Sequence, residues 1–332
     1  MINPDAKLSG KVFAEDIEKA PVRNGFGRGV VEAGKSDSRI IVLCADLAES
    51  TGAEQFRKEF PERFIEVGVA EQNMAAVASG MAAAGEIPFM ASYAVFSPGR
   101  NYEHIRTTIA INKMPVKICG THAGVNVGPD GATHQMLEDI GMMRMLPNMV
   151  VIAPADEEEA RKAVIAASAT DGPVYIRFGR AAMPIFTTSE TPFEIGKAIL
   201  LWNSDPSAGG PKVAILSTGS LSYEALTAAR ALADDGIESV VLHVPTVKPL
   251  DEEAILDVAK RAGRVVTVEE HQIAGGFGSA VTEFLSEHHP IPIKRIGIQD
   301  KFGQSGTPEE LFKHYGLDAL HIAEAIRTFV AV

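Results

Sequence analysis

Phe64-Ile65-Glu66-Val67-Gly68-Val69-Ala70-Glu71-Gln72-Asn73-Met74 is the stretch around which this chain is organised. Its β-formers, Phe64, Ile65, Val67 and Val69, predict a strand over 64–69. Glu71-Gln72 then opens a run of small residues from 75 to 84, which predicts a helix over 71–84. A carboxylate therefore stands where a buried strand meets a closely packed helix. Two effects oppose each other at such a position. A helix N-terminus favours the charged form by about 0.3–1 kcal/mol. Removal from water favours the neutral acid. In a dry site desolvation wins, and the carboxyl can share a proton with a ring nitrogen.

The same alternation extends outward. Strand 39–45 (RIIVLCA) leads to a helix near 53–59, and strand 87–93 to helix 99–111. Strand 115–120 leads through a loop to helix 135–144, strand 149–153 to helix 156–169, and strand 173–178 follows. A second set comprises strands 213–217, 239–244, 265–269 and 293–298. Its helices are 222–235, 251–262 and 278–287, with two more near 308–315 and 318–329. Short apolar strands between amphipathic helices predict mostly parallel sheets covered on both faces. The fold class is α/β, with two open-sheet α/β domains. The reading assigns an N-terminal arm to 1–20, one domain to 21–190 and the other to 191–332, the boundary falling between 185 and 200. Residues 203–212 are turn-forming and polar, and 193–212 reads as an opening hairpin of the second domain.

The 332 residues are 46% hydrophobic and 22% charged, ordinary for a globular chain that buries a sizeable core. A net charge of −12 argues against nucleic acid or an anionic membrane as partner. Cys44 and Cys119 each lie in an apolar strand-like run, which predicts buried reduced thiols and a cytoplasmic location. The opening residues lack the apolar core of a signal peptide. No uncharged apolar run approaches the length of about 18 that suggests a membrane span.

Residues 29–36, GVVEAGKS, satisfy the pattern of a nucleotide-binding P-loop. Such a loop must follow a strand and open a helix, whereas this one closes a helix and precedes a strand. It reads as a chance match ending in a glycine cap and a basic loop. Met90-Ala91-Ser92-Tyr93-Ala94-Val95-Phe96 ends strand 87–93. Open α/β sheets bind ligands beyond the carboxyl ends of their strands, so Tyr93 and Phe96 are placed to stack on a planar ring. The Gly-rich loop 120–135, GTHAGVNVGPDGATHQ, carries His122, Asp130 and His134 after strand 115–120. Its glycines allow a ligand close to the backbone, and imidazoles titrating near neutrality suit proton transfer at sugar hydroxyls and carbonyls. No Cys, His or carboxylate cluster there completes a metal site. Glycines 275, 276 and 278 in GGFGS lack the spacing of a dinucleotide site and read as a tight turn.

EVGVAEQNM and THAGVNVGPDGATHQMLED together resemble the transketolase family of thiamine diphosphate enzymes. The resemblance implies that Glu71 bonds the cofactor's aminopyrimidine ring and promotes its imino tautomer, and that Tyr93 and Phe96 hold that ring. His122 and His134 would act on the donor ketose's carbonyl and terminal hydroxyls, and Asp130 on a further hydroxyl. Arg23 and Ser50 match positions that bind the acceptor's phosphate. The family's third phosphate ligand, an arginine, corresponds here to Ala153, so phosphate binding would be weaker, be rebuilt from Arg100 or lysines, or give way to an unphosphorylated substrate. The GGFGS segment and residues 300–319 resemble the family's C-terminal domain, a mainly structural unit that adds to the dimer interface.

In that family the diphosphate and Mg²⁺ are held by a separate domain marked by a Gly-Asp-Gly signature, and no GDG occurs here. The resemblance covers only the C-terminal half of a full transketolase, over roughly 20–330. It implies the C-terminal subunit of a split transketolase, whose ketol transfer between sugar phosphates needs an N-terminal partner, most simply as α₂β₂. The cofactors implied are thiamine diphosphate and Mg²⁺, the metal ligands lying on the partner. A second reading is the β subunit of a 2-oxo acid dehydrogenase, which the 120–135 loop fits less well, or another thiamine diphosphate enzyme of acyl or ketol transfer. A third, a non-catalytic scaffold, would require Glu71, His122, Asp130 and His134 to be gone.

Overall fold

The structure is a computed structural model that describes residues 1–204 and 209–331. Residues 205–208, within the expected turn-forming break, lie outside the described residues.

Among the described residues the first sheet has seven strands. In spatial order they are Thr246–Lys248, Val150–Ile152, Val174–Arg177, Lys117–Thr121, Ile87–Tyr93, Ile40–Cys44 and Phe64–Glu66. All neighbours are parallel except the Thr246–Lys248 edge. The register puts Ala91 between Cys44 and Cys119, whose thiols are free and buried. Continuous apolar strands of this kind need helices on both faces. One face carries Val22–Ser36 and Glu157–Ser168, the other Glu71–Ala83.

Helix Val22–Ser36 explains its own glycines. A Cβ on Gly25 would lie 2.1 Å from the Glu157 carbonyl oxygen, and one on Gly29 would lie 2.7 Å from that of Arg161. The glycines let two helices touch backbone to backbone, which offsets their low helix propensity. The P-loop-like residues 29–36 lie inside this helix and form no phosphate loop. One detail of the expectation is corrected. Gly34 is a buried helix-interior residue against Phe56, and the helix ends at Asp37 in place of a glycine cap.

The second sheet runs Ile293–Ile298, Val265–Gln272, Val213–Ser217, Ser239–His243 and Ile199–Trp202. Among the described residues the opening hairpin expected over 193–212 is not formed. Ile199–Trp202 pairs antiparallel with Ser239–His243 and not with the strand that follows it in sequence. Each half also reaches into the other. Thr246–Lys248 extends the first sheet, and at the N-terminus Asn3 donates its N–H to Leu201 O (2.9 Å) on the second. The arm then pairs Lys19–Pro21 with Ala182–Pro184. In the seam between the halves, buried His243 lies 2.8 Å from Glu159 Oε2 and 2.7 Å from Ser222 Oγ.

The strand expected over 64–69 stops at Glu66, whose carboxylate accepts from the N–H groups of Asp46 (2.7 Å) and Gly68 (2.9 Å). The turn at Gly68, with φ at 70°, then delivers Glu71 as the first residue of its helix. The helix expected over 99–111 divides into Tyr102–His104 and a wider π-helical turn, Ile105–Ala110. No helix among the described residues is long and apolar enough to cross a membrane.

Candidate active site

The site residues gather beyond the carboxyl ends of the first sheet's strands, next to the point where strand order reverses, between Ile40–Cys44 and Ile87–Tyr93. Glu71 follows strand Phe64–Glu66, and its side chain is 2% exposed. Its Oε2 accepts a hydrogen bond from Arg100 Nη1 at 2.7 Å, and its backbone carbonyl accepts from Asn101 Nδ2 at 2.9 Å. The carboxylate is thus desolvated, as the sequence implies, but it has a charged partner that the sequence reading assigned elsewhere. The Arg100 guanidinium also lies over the Phe96 ring, 4.9 Å from its centroid.

Tyr93 and Phe96 form a stepped pair, with centroids 5.9 Å apart and planes at 14°. The other contacts are with imidazoles. His122 stacks on Tyr93 at 3.7 Å, and His134 meets Phe96 edge-on at 5.6 Å and Tyr93 at 6.1 Å. Tyr93 therefore already carries a ring on one face. Burial pushes the His122 pKa down to about 3, helped by Arg23, Arg180 and His134. The expectation of an imidazole titrating near neutrality fails at this residue. His122 is neutral, a hydrogen-bonding group whose Nδ1 lies 3.1 Å from Thr121 Oγ1. His134 is half-buried, with Nδ1 2.9 Å from Thr133 Oγ1. Asp130 is exposed at the end of the turn Val125–Asp130, and no ion pair joins it to either histidine among the described residues.

Arg23 opens helix Val22–Ser36, whose N-terminus lies at the same edge of the sheet, and its Nη1 donates to Arg180 O. Burial and the neighbouring Arg180 push Arg23 below its ordinary value. Arg180 Nη1 donates to Val127 O. Among the described residues neither guanidinium meets a carboxylate, so two cationic groups flank His122 without a counter-ion. Arg180 was missed by sequence reasoning. The signal was there, because Arg180 follows strand Val174–Arg177 as the other site residues follow theirs. Ser50 is on the short helix Ala48–Thr51, its hydroxyl donating to Leu47 O at 3.3 Å. The turn after it, at Gly52, packs against the Arg23 carbonyl. Ala153 sits in the seam, its N–H bonded to Pro245 O (2.8 Å) and its C=O to the Gly219 N–H (3.0 Å). The guanidinium that acts on Arg23 is that of Arg180, whereas Arg100 is held by Glu71.

The glycines of GGFGS serve a close approach. Glu269 accepts from the N–H groups of Phe277 (2.7 Å) and Gly278 (2.9 Å), so a protein carboxylate fills the anion site at the start of helix Phe277–His288.

The arrangement fits the aminopyrimidine end of thiamine diphosphate on one observation. Arg100, a planar cation, already makes the two contacts such a ring needs, a bond to Glu71 and a stack on Phe96. No group of three or more His, Cys, Asp or Glu side chains among the described residues is arranged to hold a metal ion. Beside the ring position, a neutral imidazole and two unpaired guanidiniums can bind a polyhydroxylated anion.

Comparison with known proteins gives matches along most of the chain. Residues 18–185 match the family model "Transketolase, pyrimidine binding domain", and residues 204–322 match "Transketolase, C-terminal domain". A putative transketolase C-terminal section from Methanocaldococcus jannaschii is 44% identical over 308 residues, covering 92% of this chain and 95% of that protein. A 6-deoxy-6-sulfo-D-fructose transketolase subunit from a Clostridium species is 39% identical over 313 residues, covering 94% and 95%. Among solved structures, a split-gene transketolase described as an inactive β4 tetramer superposes with a TM-score of 0.85 at 42% identity, covering 94% of this chain and 98% of that one.

Proposed function

The chain belongs to the transketolase family, and from that premise we propose that it is the C-terminal subunit of a split transketolase. It transfers a two-carbon ketol unit from a ketose phosphate to an aldose phosphate. The observation that carries the reading is buried Glu71, bonded to a planar cation that lies on an aromatic face. Members of the family use thiamine diphosphate, which when bound supplies the nucleophilic carbon that accepts the two-carbon unit. Glu71 would hold the ring nitrogen and Phe96 one ring face, with Tyr93 behind His122. Neutral His122 and half-buried His134 would hydrogen-bond the sugar's carbonyl and hydroxyl oxygens, with Asp130 at the loop's outer end. Arg23, Arg180 and Ser50 would bind the phosphate, a role for which the unpaired guanidiniums are suited.

A partner chain would supply the ligands of the diphosphate and Mg²⁺, most simply in an α₂β₂ assembly. The names of the similar proteins support this, since one is a section, one a subunit, and one an inactive β4 assembly of a split enzyme. The sulfofructose relative also supports keeping the anionic group of the substrate open between phosphate and sulfonate.

The test is ketol transfer from xylulose 5-phosphate to ribose 5-phosphate, with thiamine diphosphate and Mg²⁺. It would be run with this chain alone and with an N-terminal transketolase subunit from the same source. Activity only in the mixture supports the reading. Oxidative decarboxylation of a 2-oxo acid in its place would move the chain to the dehydrogenase alternative. Activity from this chain alone would remove the need for a partner.

A further inference from the structure

Glu270 lies in strand Val265–Gln272 of the second sheet, yet its carboxylate is buried against the Gly-rich loop of the first domain. Oε1 accepts the Asn126 N–H at 2.7 Å. Oε2 accepts from Asn126 Nδ2 at 2.8 Å and from Ser220 Oγ at 3.3 Å. Asn126 passes the contact on. Its Oδ1 accepts from the N–H groups of Arg180 (2.7 Å) and Ala181 (3.2 Å), and its Nδ2 also donates to Ala123 O at 3.2 Å. One carboxylate thus reaches, through one amide, both the residue after His122 and the backbone that carries Arg180.

The loop is shaped for this approach. Gly124 has φ at 90°, and a Cβ there would lie 2.2 Å from Glu270 Oε1. The second domain grips the loop again at its far end, where Gln135 Nε2 donates to Gln304 O at 3.0 Å. Arg177 Nη2 in turn donates to the Glu270 carbonyl at 2.7 Å, which fixes the strand that presents the carboxylate.

We propose that Glu270 is a positioning residue of the active site: through Asn126 it sets His122 and Arg180, so that the second domain takes part in recognising the acceptor's anionic group. The proposal rests on the reading above that this loop and Arg180 bind substrate. Glu270 itself does not reach the substrate.

The test uses the polarity of the relay. Glu270→Gln keeps the volume, but in either amide orientation it sets a donor against a donor of Asn126. Asn126→Asp sets carboxylate against carboxylate. Combining the two restores one donor facing one acceptor and leaves an oxygen for the Arg180 N–H, and only the weaker bond to Ala123 O stays lost. Amide hydrogen exchange on the full-length chain, without partner or substrate, is expected to rise about ten- to a hundredfold over 123–127 and 179–182 in each single variant and to return in the double. In the assembled enzyme the acceptor KM should rise by a similar factor in the single variants, by more than kcat falls, and recover in the double. If Glu270→Gln does not fold, Asn126→Ala breaks the relay from the loop side. Unchanged exchange in the folded variants, or altered exchange with an unchanged KM, would overturn the proposal. Altered exchange together with a wild-type enzyme that is silent toward sugar phosphates would sink the functional reading and leave the loop-setting role standing.

Discussion

Arg100 and Glu71 are joined at 2.7 Å, and the same guanidinium rests 4.9 Å from the centroid of Phe96. The pair is uneven, since Glu71 is 2% exposed and Arg100 is 45% exposed. A half-exposed cation therefore covers a buried carboxylate that a ring nitrogen would need. Arg100→Met removes the charge and keeps most of the apolar stem. Thiamine diphosphate should bind the assembled enzyme as tightly as in the wild type, or more tightly, because no cation has to be displaced from Glu71. Calorimetric titration of both proteins measures this. Affinity weakened tenfold or more, about 1.4 kcal/mol, would mean that Arg100 is a ligand and not a placeholder.

Glu71→Ala should leave the fold intact and lower kcat by at least about 10²–10⁴-fold, the scale of a positioned proton-transfer group. Thermal melting and steady-state turnover of the assembled enzyme are the measurements. Near-normal turnover would remove Glu71 from the chemistry.

Arg180→Ala should raise the KM for a phosphorylated acceptor about 10–100-fold, as expected for losing a charged hydrogen bond of about 1.5–3 kcal/mol. The backbone N–H of Arg180 that Asn126 holds is untouched by this change. Turnover of the matching unphosphorylated aldose should not change. Equal losses with both acceptors would show that Arg180 supports the loop and does not bind the anion.

His122 carries a pH dependence whose sign is fixed by its burial. Its pKa falls from 6.5 to about 3 on folding, so the unfolded chain binds the extra proton first. The contribution is fully present above about pH 6.5 and is lost as pH falls toward 3, amounting to about 2 kcal/mol of lost stability at pH 5. His122→Asn should remove that part of the difference between pH 7 and pH 5, as read by urea denaturation at both values. An unchanged difference would mean that His122 is solvated and able to titrate in the usual range.

Much of the order of the chain was legible in the sequence. Strands Ile87–Tyr93, Val213–Ser217 and Ile293–Ile298 lie where the alternation of short extended segments with helices predicts them. The helix at Glu71 and the Gly-rich loop with His122, Asp130 and His134 were also legible, since their signals are local. The missed features are pairings. The segment Ile199–Trp202 was legible only as part of an opening hairpin, and its actual partner, Ser239–His243, is chosen by packing. Thr246–Lys248 is too short to read at all, and it joins the other half's sheet.

The sequence by itself determined the α/β alternation, the two-domain plan, the carboxylate at a strand-to-helix junction and the loop that carries the histidines. Local propensity and hydrophobic period act within a few residues, so they are written where they act. The tertiary structure alone decided that Arg100 sits on Glu71, that His122 is neutral, that Arg180 joins Arg23, and that Glu270 reaches Asn126 across 144 positions of the chain. These depend on burial and on which distant groups meet there, and the strength of a charge or hydrogen bond is set by that surrounding.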